Sequence, residues 1–257
     1  MNPSERRLVE QLATATGREL VQLAHARERI TGAIGVLERD GRVVAVSAHR
    51  CGLAAVPELG ALDRIERLDV GGNALVELPP VPASVRELYI YDNQLAHLPA
   101  LPPGLRVLDA NRNRLVDVPR LEGLDFAYLA SNQLVAPPVL AGVRYLNVSG
   151  NPLAALPIDP ALRELRAESS GLATLPDAIA GLAELRELHL RDNALAALPD
   201  AIGALARLRV LDLRANRLDT LPEAIARLPL AKLDLRWNPL GRPPAWLDTL
   251  DDALVYR

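Results

Sequence analysis

Lysine is almost missing from this chain. Of 29 basic residues all but Lys232 are arginine, and 32 acidic residues bring the net charge to −3. That balance excludes the strong basic excess of a nucleic-acid-binding surface. A single cysteine, Cys51, rules out an intrachain disulfide and a thiolate metal cluster. No apolar run reaches the roughly 18 residues of a membrane span. The opening MNPSERRLVEQL lacks the apolar core of a secretory signal, so a soluble, cytoplasmic chain is expected. Aromatics are only 3% of the residues, with one Phe, two Trp and five Tyr. A core for 257 residues must therefore be built from Leu, Ala and Val, and that points to a repeat.

The repeat is legible. The phrase L-x-x-L-x-L-x-x-N-x-L fits ten times, starting at Val43, Ile65, Val85, Leu105, Leu124, Val143, Leu162, Leu185, Leu208 and Leu230. Its eleven positions are called slots below. Slots 1, 4, 6 and 11 hold only Leu, Ile, Val or Ala. Slot 9 holds Asn in eight copies, with Cys51 and Ser170 in the other two. Alternation across slots 4 to 6 predicts a half-buried strand. The slot-9 side chain then bonds backbone groups of the turn that leaves the strand. Copies cannot bury their Leu alone, so they stack into a one-dimensional solenoid.

These copies resemble the leucine-rich repeat family across residues 43–240. The fold that follows is α/β, a curved solenoid with a parallel sheet on its concave face. Copies start 19 to 23 residues apart. The middle ones return through short Pro-rich segments such as LAHLPALPPGL, with no room for a helix. This phrase resembles the repeats of secreted effectors and leucine-rich repeat ubiquitin ligases of Gram-negative pathogens. The later returns, such as LPDAIAGLAEL, have room for a short helical turn with Ile and Leu inward.

The domain plan has three parts. Residues 1–42 form a helical N-terminal cap and first hairpin strand, 43–240 the solenoid, and 241–257 a short C-terminal cap. Asn2-Pro3-Ser4-Glu5 signals a capped helix start and Gly17 a stop. A second helix is expected from Arg18 to about Ile30. Two strands should then meet at Asp40-Gly41. At the other end a short helix with Trp246 over the last Leu layer, and a closing strand, are expected.

Catalytic chemistry has no visible carrier. There is no Gly-rich phosphate loop, the four His are scattered in register, and Cys51 falls in an inward slot, where a structural role is expected. The ligases of similar repeat carry a separate domain with a nucleophilic Cys; nothing here matches it. No cofactor and no metal are expected.

Slots 2, 3, 5, 7 and 8 project from the concave face of the sheet, where a partner is expected to bind. Six of the eight aromatics fall there, and five of the six on the middle copies. Tyr and Trp anchor interfaces with large area and little entropy loss. A protein-binding site is therefore expected at Tyr89, Tyr91, Phe126, Tyr128 and Tyr145, rimmed by Arg106, Asp109, Arg112 and Arg144. Further along, Arg191, Arg214 and Arg236 beside His189, Asp212 and Asp234 read as solvated cross-strand ion pairs. The expected function is a non-catalytic interaction module for a protein partner. It would be a monomer without affinity for nucleic acid, acting as a bacterial cytoplasmic scaffold or a host-directed effector. The alternative is the recognition domain of a larger enzyme, such as a ubiquitin ligase or kinase.

Overall fold

The computed structural model describes residues 1–28, 30–241, 244–249 and 255–256. The chain divides into two compact units, Met1–Tyr128 and Leu129–Arg257.

The first unit opens with helix α1 (Pro3–Thr16). Asn2 caps it, its side chain accepting from the Glu5 N–H while Glu5 accepts from the Asn2 N–H, and Gly17 ends it in the left-handed region at φ 62°. Leu8, Val9 and Leu12 are buried on its inner face. The helix is tied down by Glu5, which accepts from Arg42 Nε at 2.9 Å and from the Val43 N–H at 3.4 Å. Burial would raise the Glu5 carboxyl. The Asn2 and Val43 amides and the Arg42 guanidinium outweigh it and hold it below its ordinary value.

Strands β1 (Leu20–Gln22), β2 (Ile34–Arg39), β3 (Arg42–Ser47), β4 (Arg67–Asp69), β5 (Glu87–Tyr89) and β6 (Val107–Asp109) follow. After the short extended β7 (Leu121–Glu122) comes β8 (Phe126–Tyr128). The sheet runs β1-β2-β3-β4-β5-β6-β8. Only β2 and β3 are antiparallel, joined by Asp40 and Gly41, both at positive φ, as a two-residue hairpin requires.

Among the described residues of 18–30 no second helix forms. Leu20–Gln22 pairs in parallel with Ile34–Val36 instead, and Leu23 is buried over Gly35, where any Cβ would stand 2.5 Å from a Leu23 methyl. The open edge of β2 offers backbone partners as well as apolar cover, and that combination overrides local helix preference.

The second unit begins with β9 (Leu140–Ala141), in a return segment. Its sheet runs β10 (Tyr145–Asn147), β11 (Glu164–Arg166), β12 (Glu187–His189), β13 (Val210–Asp212), β14 (Lys232–Asp234) and β15 (Val255–Tyr256), all parallel. Slot 4 aligns across it as Leu146, Leu165, Leu188, Leu211 and Leu233, each fully buried. Each such Leu contributes about 1.5–3 kcal/mol of burial. The later returns form short 3-10 turns at Asp177–Gly181, Asp200–Ala204 and Glu223–Arg227, which bury Ile179, Ile202 and Ile225. At the end Ala245–Thr249 is another 3-10 turn, and Leu247, not Trp246, is the side chain fully buried there.

Slot 9 does what its chemistry allows. The Asn73 carbonyl oxygen accepts from the N–H groups of Cys51 and Leu53 at 3.0 Å, while its amide donates to Ala48 and Val70 carbonyls. Asn193 repeats this with Ser170, Leu172, Ala167 and Leu190. Each Asn thus satisfies its own copy and the one before it. Slot 8 is left-handed in all ten copies, from Arg50 at φ 52° to Trp237 at φ 63°.

Candidate functional site

Slots 3, 5 and 7 alternate outward from the buried slots 4 and 6, so a strand of three residues sets two outer side chains on one line. In the first unit the register places Tyr89, Asp109 and Tyr128 side by side in slot 5. The aromatics there divide by environment. Tyr89 is half-buried, with the Arg67 guanidinium 4.0 Å from its ring centroid. Its hydroxyl donates to Glu87 Oε2 at 3.2 Å, and Arg67 pairs with the same carboxylate. Burial, with the Glu87 charge, pushes the Tyr89 phenol up against the pull of Arg67.

Tyr91 is also half-buried. Its hydroxyl lies 2.9 Å from His49 Nδ1, two copies away, and its ring covers Gly71. A Cβ at Gly71 would stand 2.5 Å from that ring, and one at Gly72 would stand 2.5 Å from Arg50 Cγ. The glycine pair is therefore a seat for Tyr91 and Arg50, not an open gap. This was missed from sequence, although a Gly beside an aromatic in the same slot of adjacent strands is a readable signal.

Phe126 differs from these two, while Tyr128 is half-buried as they are. Phe126 is 43% exposed, and the two rings run nearly parallel, 5° between planes and 6.2 Å between centroids. Arg106 is exposed and donates to the Gly123 carbonyl at 3.2 Å. Arg112 is exposed in left-handed slot 8. Asp109 accepts from the Asn111 N–H at 3.2 Å. That bond recurs wherever slot 5 is Asp or Asn, at Asp69, Asn147, Asp212 and Asp234. A short side chain there closes a turn onto slot 7, so Asp109 has a backbone role that sequence reasoning did not see. The remaining two expected residues, Arg144 and half-buried Tyr145, stand in the second unit at the start of its strand order.

The second unit corrects the reading of solvated cross-strand pairs. Asp212 and Asp234 are buried at 3% and 0% exposure. Each is gripped by the arginine two residues on in its own copy, and Arg214 Nε also reaches Asp234 across the strands at 3.4 Å, so the cross-strand pairing is present but buried. Arg214 Nε lies 2.9 and 3.1 Å from the two Asp212 oxygens, and Arg236 grips Asp234 at 2.9 and 2.7 Å. Slots 5 and 7 share a face, so the long guanidinium folds back over the short carboxylate. Burial would raise the Asp212 carboxyl; the hydrogen bonds and charge of Arg214 overcome it and hold it low. Beyond these pairs Trp237 is 67% exposed and Tyr256 44%, with Arg236 5.5 and 5.4 Å from their rings. Ligand atoms of Glu164, Glu187 and His189 lie within 4.8 Å of one another. Both carboxylates are engaged, Glu164 by Arg166 at 2.7 Å and Glu187 by His189 at 3.1 Å. Cys51 is buried, its thiol pushed up by burial against the opposing charge of Arg18.

Residues 183–240 match the family model described as Leucine rich repeat. Among solved structures, a leucine-rich repeat protein of Leptospira interrogans is 27% identical with a TM-score of 0.69, over 84% of this chain and 61% of its own. YopM from Yersinia enterocolitica is 31% identical with a TM-score of 0.65, over 82% of this chain and 45% of its own. A Shigella effector leucine-rich repeat domain is 25% identical with a TM-score of 0.53, over 75% of this chain and 79% of its own. The chain thus spans about half to three-fifths of the first two structures' length. No curated protein matches it. Helical cap, parallel sheet, asparagine ladder and these likenesses together give the chain the fold of a leucine-rich repeat solenoid.

Proposed function

We propose that this protein is a non-catalytic interaction module that binds a protein partner on the concave face of its sheet. The observation that carries the reading is exposed Phe126, its ring parallel to that of half-buried Tyr128, in a chain otherwise poor in aromatics. A large apolar ring left in water on a regular sheet is what an interface anchor looks like before its partner arrives. Arg106 and Arg112 belong to the same proposed contact of the first unit, and Arg144 and Tyr145 are proposed as a contact of the second. Tyr89 and Tyr91 serve it by stiffening the sheet, since their polar tips are engaged at Glu87 and His49. The similarity to YopM and to a Shigella effector favours an effector role over a resident scaffold. The test is quantitative affinity capture with parent chain and with Phe126→Ala/Tyr128→Ala. Each truncation should cost a partner about 1–3 kcal/mol without loss of fold. Unchanged capture by the double variant refutes the reading.

A second reading, the recognition domain of a larger enzyme, is favoured by the likeness to a structure that is itself an effector domain. Sequencing the complete reading frame separates the two.

A further inference from the structure

Slot 2 opens each strand, and in the second unit its backbone links copy to copy. The N–H of Arg163 donates to Arg144, that of Arg186 to Arg163 and that of Arg209 to Arg186, at 2.7–2.8 Å. Four arginines therefore stand in one row on neighbouring strands, about 4.8 Å apart, and all four are exposed.

Where slot 2 is Arg, the side chain can be held in place. Arg86 donates to Gly104 at 2.9 Å, Arg106 to Gly123 at 3.2 Å and Arg209 to Pro229 at 3.1 Å. The acceptor each time is the carbonyl just ahead of the next copy. Among the described residues Arg163 and Arg186 make no such bond to the matching carbonyls of Glu184 and Arg207, whose side chains pair with each other. The carboxylates beside them on the strands are also engaged, Glu164 with Arg166 and Glu187 with His189. Among the described residues neither Arg163 nor Arg186 has an acidic partner. Like charges one strand apart repel, so Arg163 and Arg186 together attract an anion.

We propose that this row, centred on Arg163 and Arg186, docks an extended acidic segment of the partner protein. A guanidinium takes a carboxylate bidentately at a discrete point. Glu164, Glu184 and Glu187 stand along the same edge, and they would repel a continuous phosphate backbone while leaving room for spaced carboxylates. The inference rests on the concave-face reading and adds the partner's chemistry to it.

The probe is a fluorescein-labelled peptide of alternating aspartate and serine, followed by anisotropy. Binding should weaken as salt rises. Arg163→Gln/Arg186→Gln should lower affinity roughly tenfold or more. The matched removal of two charges from the return side, Arg217→Gln/Arg227→Gln, should leave it unchanged. Phe126→Ala/Tyr128→Ala should also leave it unchanged, so failure here is separable from failure of the aromatic contact. The melting temperature of the Arg163/Arg186 variant should stay at or above that of the parent, because a repulsion is removed. The proposal is overturned by equal binding of that variant, by equal binding of an asparagine–serine peptide, or by tighter binding of a single-stranded oligonucleotide of the same charge.

Discussion

Tyr91 shows how one side chain can look like a binding residue and act as a brace. Its ring needs the bare backbone of Gly71, and its hydroxyl needs His49. Gly71→Ala is expected to force the ring aside and to cost about 1–3 kcal/mol, the usual price of overpacking. Tyr91→Phe keeps the ring and loses one hydrogen bond, for about 1 kcal/mol. Urea unfolding measures both, and a Gly71→Ala chain as stable as the parent would remove the seat. Cys51 makes a different case. Its thiol is buried and donates to the Ala33 carbonyl at 3.3 Å. It should react slowly with a thiol reagent in native buffer and fast in denaturant. Cys51→Ser should be well tolerated, since Ser170 fills the same slot and donates to Glu168 at 3.1 Å as Cys51 does to His49 at 3.5 Å.

At the scale of elements, Ser170 is the weak rung. In a regular pair of copies the slot-9 Asn accepts from the turn of the preceding copy. Ser170 is too short to do so, and the Leu153 N–H turns back on Asn151 instead, at 2.8 Å. Pro152 removes another donor from the same turn. Strand β11 is therefore expected to exchange its amides sooner than β12 and β13, because a one-dimensional stack opens at its weakest interface. Hydrogen exchange at Leu165 as slow as at Leu188 would contradict this. Ser170→Asn should restore the rung and add on the order of 1 kcal/mol. Strands, hairpin, helix caps and inner turns were all legible, because slot period and capping residues act locally. Leu20–Leu23 was not. Its apolar spacing suits a helix as well as a strand, and only the edge of β2 decides. The site was legible as a set of outward residues, but side-chain partners such as Arg67 over Tyr89, or Arg214 over Asp212, depend on rotamers that slot position does not determine.

For the molecule as a whole, pH should act through carboxylates held low in the fold. Glu5 ties the cap helix in the first unit, and Asp212 sits under Arg214 in the second. Each contributes stability that is complete above the unfolded-chain value of about 4 and is lost as pH falls through the lower folded value. Stability to urea should therefore drop as pH falls below about 4. Asp212→Asn should cost about 1–3 kcal/mol at neutral pH, the worth of a charged hydrogen bond partly open to water. That difference should shrink in acid. An equal cost at both pH values would place the destabilisation elsewhere.

The asparagine ladder also has a direction. Asn73 closes amides of the copy that precedes it, Asn193 closes those of Ser170 and Leu172, and Asn238 closes that of Leu218. No copy with such a successor is finished by its own residues. On the ribosome, where the amino-terminal end emerges first, each turn stays open to water until the next twenty or so residues have been made. The nascent chain then matures one copy behind synthesis, and a stalled ribosome holds a solenoid whose last turn is always the unsealed one.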